Sequence, residues 1–314
     1  PGKAASLPAA IRVIELLEPA GGKDIPVFPA SYAGDNKNSV YDLSGVEYDE
    51  GETITRRLKN KASDNRLEND ETRVVKHIKS ARLCVIDSPQ SQANRMEPAF
   101  LEAEDLRELV PQATATIPKR ENGTESVLSL PHRVADFRVR RSNQATAVGE
   151  TITAFAKGNA LPLIQAFPTS LLFGFWDSRS DTDVGVKHAR ILLSRIDAHH
   201  IIPCRRRSQY TGPYSEDEFR EVVLDGGKET KKLSEAGFTP VPGDGLGGGL
   251  IDQEKGKIER ISVLSLSDIA RITCYDEVKE NGKAKLDADK TNAARRYLFA
   301  LGALAEAHER SKGS

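Results

Sequence analysis

The sequence predicts an α+β fold, or a ferredoxin-like core carrying embellishments. Three observations predict it. Apolar, β-branched runs of strand length recur at "ARLCVID" (81–87), "ARILLSRIDAHHII" (189–202) and "KIERISVLSL" (257–266). The C-terminal "DKTNAARRYLFALGALAEAHERS" sets Leu298, Leu301 and Leu304 at helical spacing. The segments between are long and unevenly spaced, whereas a doubly wound parallel sheet needs regular strand–helix alternation.

In chain order, residues 9–33 read as a strand, a turn at Gly21–Gly22 and an extended segment broken by prolines. Residues 49–80 are highly charged with few apolar anchors, which predicts an exposed, partly helical insertion. After the buried strand 81–87, "SQANRMEPAFLE" reads as a helix with Ser91 as N-cap. "PQATATI" (111–117) is a short strand followed by a polar turn. Residues 130–142 predict a helix with Pro131 in its first turn. Residues 149–166 begin as a helix that Gly158 and Pro162 interrupt. The aromatic "TSLLFGFWDS" (169–178) predicts a buried strand, with Phe173, Phe175 and Trp176 in the core or near a subunit junction. The β-branched ends of 189–202 favour strand over helix. Residues 240–257 are rich in glycine and proline and predict a mobile loop. Ser267 is placed as the cap of a short helix after the strand at 257–266. No internal repeat is present at solenoid periods.

Composition narrows the function classes. With 38% hydrophobic residues in 314 the chain can bury a real core, and 29% charged residues fit a soluble protein. No apolar run approaches the roughly 18–20 residues of a membrane span. No charged-then-apolar signal segment opens the chain, and the leading Pro1–Gly2 reads as a trimmed or tagged start. Cys84, Cys204 and Cys274 are far apart, which argues against a zinc site or a disulfide framework and for a reducing cytoplasm. A net charge of −1, from 45 basic and 46 acidic residues, excludes a protein that coats nucleic acid with its whole surface. One basic groove is still compatible with it.

Several motifs carry little chemistry. "GDGLGGGL" (243–250) lacks the GK[ST] ending of a phosphate loop. Asp177, Asp181, Asp183 and His188 would need to converge to hold a metal, and Asp-x-Asp is common in turns. His199 and His200 are adjacent, so on a strand they face opposite ways, one packed and one exposed. No nucleophile lies in a GxSxG motif.

The clustering of arginine is more informative. Residues 187–207 carry Lys187, Arg190, Arg195, Arg205, Arg206 and Arg207 against Asp197. Residues 132–141 carry His132, Arg133, Arg138, Arg140 and Arg141 against Asp136. The planar guanidinium fork suits bidentate phosphate contacts and stacking on bases. A solvated charged face is the bland reading of either run. "DSPQSQANRMEPAF" (87–100) adds a dense polar cluster, which reads either as a capped helix start or as a set of phosphate, sugar and base-edge ligands.

Together "VIDSPQSQANRMEP", "LPHRVADFRVRRS", "TSLLFGFWDSR" and "VKHARILLSRIDAHHI", in that order, resemble the backbone subunit of type I-G (formerly I-U) CRISPR effector complexes, a RAMP-superfamily protein of the seventh Cas family. "FPASYAG" and "AARRYLFALGALA" are similar to that family too, whereas 49–80 and the glycine-rich loop match least. The resemblance implies a single RAMP-type domain over 1–314, with an RRM-like (ferredoxin-like) palm and finger- and thumb-like insertions. It implies head-to-tail copies along a CRISPR guide RNA, target DNA pairing through the guide, other effector-complex subunits, and a recruited helicase–nuclease. It implies no catalytic role; the sequence itself leads us to expect no membrane partner, no cofactor and no metal.

Three groups are the candidate RNA ligands: Ser91, Gln92, Asn94 and Arg95; His132, Arg133, Arg138, Arg140 and Arg141; and Arg179, Lys187, His188 and Arg190, with Arg205, Arg206 and Arg207 added to the third. The RNP aromatics of ordinary RRM recognition are missing. Two other readings stay open: an RNA-cleaving RAMP subunit using Asp177, Asp181 or Asp183 with a divalent metal, and a protein-interaction scaffold without RNA contact.

Overall fold

A computed structural model describes residues 8–30, 41–57, 70–76, 78–116, 123–178, 185–204, 207–208, 224–225, 228–229, 243–244, 248–276 and 285–312. The chain runs through β1 (Ala10–Leu17), β2 (Leu43–Tyr48), β3 (Glu52–Arg57), β4 (Asp70–Val75) and β5 (Ile78–Asp87). Helices α1 (Pro89–Met96), α2 (Ala99–Glu102) and α3 (Glu104–Arg107) follow, then the ribbon β6 (Thr114–Thr116) and β7 (Thr124–Ser126). Two 3-10 turns, Val127–Ser129 and Arg133–Ala135, lead into α4 (Phe137–Arg140), α5 (Ala145–Ala156), α6 (Leu161–Ala166) and α7 (Pro168–Phe173). The ribbon β8 (Phe175–Asp177) and β9 (Val186–His188) precedes the long strand β10 (Leu192–Cys204). After it come β11 (Arg207–Ser208), β12 (Leu224–Asp225), β13 (Lys228–Glu229), β14 (Gly243–Asp244), β15 (Gly248–Ile251), β16 (Lys257–Ser265), α8 (Leu266–Ala270) and α9 (Ala288–Lys312).

The class is α+β, with helices and antiparallel strand pairs, and the chain divides into two units. The first comprises Pro1–Leu17, Asp87–Ile196 and Glu259–Ser314. In it β16 is the neighbour of both β1 and β10. Its core draws on nearly every helix: Met96 of α1, Phe100 of α2, Ile152 of α5, Leu163 of α6 and Leu171 of α7. Ala294, Leu298, Leu301 and Ala305 supply one face of α9 at the spacing of a buried helical stripe. Leu304, expected on that face, is exposed, because the stripe turns onto Ala305 instead. Gly302 lets α9 approach closely: a Cβ there would stand 2.7 Å from Leu264 Cδ1 and 3.1 Å from Leu172 Cδ1.

The second unit comprises Glu18–Ile86 and Asp197–Ile258. In it β2 pairs antiparallel with β5, and β15 with β10. Among its described residues the buried apolar ones include Ala81, Cys84 and Val85 of β5 and Ala198 and Ile201 of β10. His200 is exposed with φ 51°, and His199 beside it is half-buried, the division expected from adjacent strand positions.

Several elements differ from the sequence reading, each for a local reason. Within 49–80 the described residues form β3, β4 and the start of β5 rather than helix, because "ETITRR" and "DETRVV" carry β-branched residues that fit a pleated pair. The glycine-rich segment contributes β15, and Gly249 exchanges backbone hydrogen bonds with Val27. Residues 130–142 hold a 3-10 turn and the short α4 instead of one helix, since Asp136 is extended (φ −61°, ψ 143°) and its carboxylate accepts from Arg138 N. Pro162 sits in the first turn of α6 and starts it rather than breaking it. Residues 168–173 are helical, and only 175–177 are strand; Gly174, at φ 78°, makes the change of direction. The caps also shift. Ser88, ahead of Pro89, caps α1 in place of Ser91, and Ser265 caps α8 in place of Ser267.

Candidate functional site

The first unit gathers most of the candidate side chains. On α1 the helical period separates them. Gln92 faces inward at 1% exposure, while Asn94 and Arg95 face out and Ser91 is half-buried. Gln92 Nε2 donates to Asp87 Oδ2 at 2.7 Å, and its Oε1 accepts from Ser194 Oγ at 2.9 Å. Ser262 Oγ in turn donates to Ser194 Oγ at 2.9 Å. Gln92 is therefore part of a buried polar thread, and its amide is not presented to a ligand. Arg95, largely exposed, pairs with Asp87 at 3.2 Å.

Arg133 also points inward. Its side chain is 2% exposed, its Nε lies 2.7 Å from Glu97 Oε2, and its guanidinium stacks 5.3 Å from the Phe173 ring centroid. It reaches the Gly174 carbonyl and, at 3.5 Å, Asn94 Oδ1. Burial raises the Glu97 carboxyl to about 7, and the Arg133 charge and a hydrogen bond from Thr169 only partly offset it. Arg190, half-buried, donates from Nη2 to Gln90 Oε1 at 2.5 Å. Burial, and then the charge of Arg133, lower its pKa. Gln90 completes the cluster by donating from Nε2 to Asn94 Oδ1 at 3.2 Å and to the Pro131 carbonyl at 3.0 Å. Asn94, Arg133 and Arg190, one from each candidate group, thus meet around Gln90. Gln90 was visible in the quoted stretch but was not among the candidates; its i, i+4 spacing to Asn94 was the available signal.

A second assembly lies around α4 and β8. A groove of about 1200 Å³ is lined by Phe137, Arg140, Arg141, Lys157, Trp176 and Asp177, with His132 at its wall. Phe137 is 63% and Trp176 66% exposed. Each carries a cation over its ring: Arg141 at 5.7 Å from Phe137 and Lys187 at 6.0 Å from Trp176. Trp176 therefore lies outside the core, whereas Phe173 and Phe175 are in it. Phe175, its strand neighbour, points inward at 6% exposure, and period-2 alternation sends the next side chain out. Arg140 holds the buried Asp177 carboxylate at 3.4 Å, and Arg138 is ion-paired with Glu125.

His188 is internal. Its ring packs edge-on against Phe155 at 5.1 Å, Nε2 donates to the Leu171 carbonyl at 3.0 Å, and burial lowers its pKa. Arg179, Asp181, Asp183, Arg205 and Arg206 lie outside the described residues, and only the backbone of Arg207 is described, in β11. Among the described residues no group of three or more His, Cys, Asp or Glu side chains is arranged to hold a metal ion, and no helix is long and apolar enough to cross a membrane.

No curated protein matches the chain. The model of one family, described as "CRISPR-associated protein GSU0053", matches residues 11–203, more than half of the chain and the whole stretch that supplies α1, the Arg133 turn, the aromatic groove and Arg190. The chain belongs to that CRISPR-associated family.

Proposed function

We propose that this chain is a non-catalytic guide-RNA-binding backbone subunit of a type I-G effector complex, built on an RRM-like palm and polymerising head to tail along the CRISPR RNA in the cytoplasm. The guide is held by its backbone and left open for target DNA to pair with, and a helicase–nuclease is recruited separately. The observation that carries the reading is the groove edged by two exposed aromatic rings, each paired with a cation. Aromatic faces stack on any base, and neighbouring arginines and lysines neutralise phosphates, which is the chemistry of sequence-tolerant single-strand binding. Family membership supports the CRISPR setting. Asp177, ion-paired with Arg140 and 3% exposed, acts in this reading as an anchor for that arginine rather than as a metal ligand.

The test is binding of single-stranded guide RNA to the double variant Phe137→Ala, Trp176→Ala. Each lost stack is expected to weaken binding by about 1–3 kcal/mol, with thermal stability nearly unchanged because both rings are exposed. Unchanged affinity would remove the groove from the RNA path. Metal-dependent cutting of matched target RNA by the wild-type complex would overturn the non-catalytic assignment.

A further inference from the structure

Arg190 has an unusual balance of partners. Among the described residues its Nε is buried with no acceptor, and its guanidinium is met by one neutral group, the Gln90 carboxamide oxygen at 2.5 Å. A buried donor without a partner is costly, and a cation held by a single neutral acceptor is under-compensated. The nearest other charges do not correct this. Arg133 is a second cation, near enough to act on Arg190, and the carboxylate of Glu97 is taken up by Arg133 at 2.7 Å. Among the described residues, two guanidiniums therefore share one acid.

The setting is rigid. Gly174, at φ 78°, packs so tightly that a Cβ would lie 3.0 Å from the His188 carbonyl and 3.1 Å from Arg190 N and Cγ. The stem of Arg190 is thereby fixed before any ligand arrives. The lid is not rigid in the same way. Gln90 belongs to the first turn of α1, is half-buried, and is held by hydrogen bonds to Asn94 and to the Pro131 carbonyl, both at the surface. Its Oε1 sits where an anion's oxygen would meet the guanidinium fork.

We infer that Arg190, backed by Arg133, is a subsite for one phosphate group, and that the Gln90 carboxamide is a displaceable plug over it. The inference rests on the RNA-binding reading for the identity of the ligand, a phosphodiester of the guide backbone. A guanidinium fork and a tetrahedral oxyanion match in charge and geometry. Once Gln90 is displaced, the carboxamide of Asn94 can turn its NH₂ group to a remaining phosphate oxygen.

The experiment compares wild type, Gln90→Ala, Gln90→Glu and Arg190→Gln for binding of a single-stranded oligoribonucleotide across a salt series, with circular dichroism of each variant. Gln90→Glu places a carboxylate on Arg190 and blocks the subsite without removing a buried group, so it keeps the test open if Arg190→Gln does not fold. Gln90→Glu is expected to bind about tenfold or more weaker and to flatten the salt dependence by about 0.7 in log–log slope, one phosphate contact on a single strand. Gln90→Ala is expected to bind at least as tightly as wild type. A thermal shift with inorganic phosphate against chloride of equal ionic strength, lost in Gln90→Glu, would show that a free phosphate ion also fits; no such shift, with the RNA effect present, assigns the subsite to the backbone phosphate. If wild type binds RNA and Gln90→Glu keeps its affinity and slope, the subsite is overturned and the function stands. If wild type binds no RNA, the function falls, and the subsite survives only on a phosphate-specific shift.

Discussion

Arg260 and Arg133 are buried to nearly the same degree, 1% and 2% exposed, but their surroundings are opposite in charge. Arg260 on β16 is shared by two carboxylates, Glu15 of β1 and Glu306 of α9, the latter at 2.8 Å. Arg133 has one carboxylate, Glu97, and a second cation nearby, Arg190. Its backbone is also left-handed, with φ 55°, a conformation that costs a non-glycine residue about 1–3 kcal/mol. The first arginine is over-compensated and ties a strand to its neighbour and to α9. The second is under-compensated, strained, and beside a surface lined by polar side chains. A buried arginine is thus not a single kind of feature. The charges around it distinguish a structural clasp from a place poised for an anion.

The sharpest way to break this comparison is to remove each guanidinium in turn. Arg260→Ala leaves two carboxylates without their cation, and denaturant unfolding is expected to show a loss of about 3–5 kcal/mol. Arg133→Ala leaves one carboxyl that readily takes up a proton, so the expected loss is smaller, about 2–3 kcal/mol at pH 8, and smaller still at pH 6. Equal losses with no pH dependence would erase the distinction.

A subtler effect comes from Glu97, whose carboxyl is raised from its ordinary 4.5 to about 7 by burial. Between those values the folded chain holds a proton that the unfolded chain releases. Stability from this group therefore falls as pH rises from about 4.5 to about 7 and levels off above it. Thermal melts across that range should show the decline, and Glu97→Gln should flatten it. Besides burial, Arg133 and Thr169 are the groups that bear on this titration. The smallest effect separates two serines at the start of the helix that carries Gln90 and Asn94: Ser88→Ala is expected to cost about 1 kcal/mol by losing the cap, and Ser91→Ala little. The reverse order would restore Ser91 as the cap.

Strands β5 and β16 and helix α9 were legible because long apolar runs leave little choice, and β10, ambiguous in its pattern, was legible from its β-branched ends. The stretch 168–177 was not. An unbroken apolar run has no period to read, and the helix-to-strand switch depends on the φ of one glycine. The site was legible in composition and illegible in direction. A run such as "HRVADFRVRR" announces charge, but a 3-10 turn followed by a short helix sends Arg133 inward while Arg140 and Arg141 line the groove. Arg190 and Gln90 are 100 residues apart in sequence, so only the fold could bring them together. The alternation of Phe175 and Trp176 could have been read, had the strand been limited to its true three residues.

The buried thread from Asp87 through Gln92 and Ser194 to Ser262 has a consequence for how the first unit assembles. Apolar side chains tolerate a slipped pairing, since one aliphatic neighbour replaces another at modest loss. A hydroxyl does not. A slip of β16 by one residue past β10 would turn Ser262 to the opposite face and separate it from Ser194, leaving polar atoms stranded in an apolar interior. The thread therefore works as a key cut for one alignment of the strands.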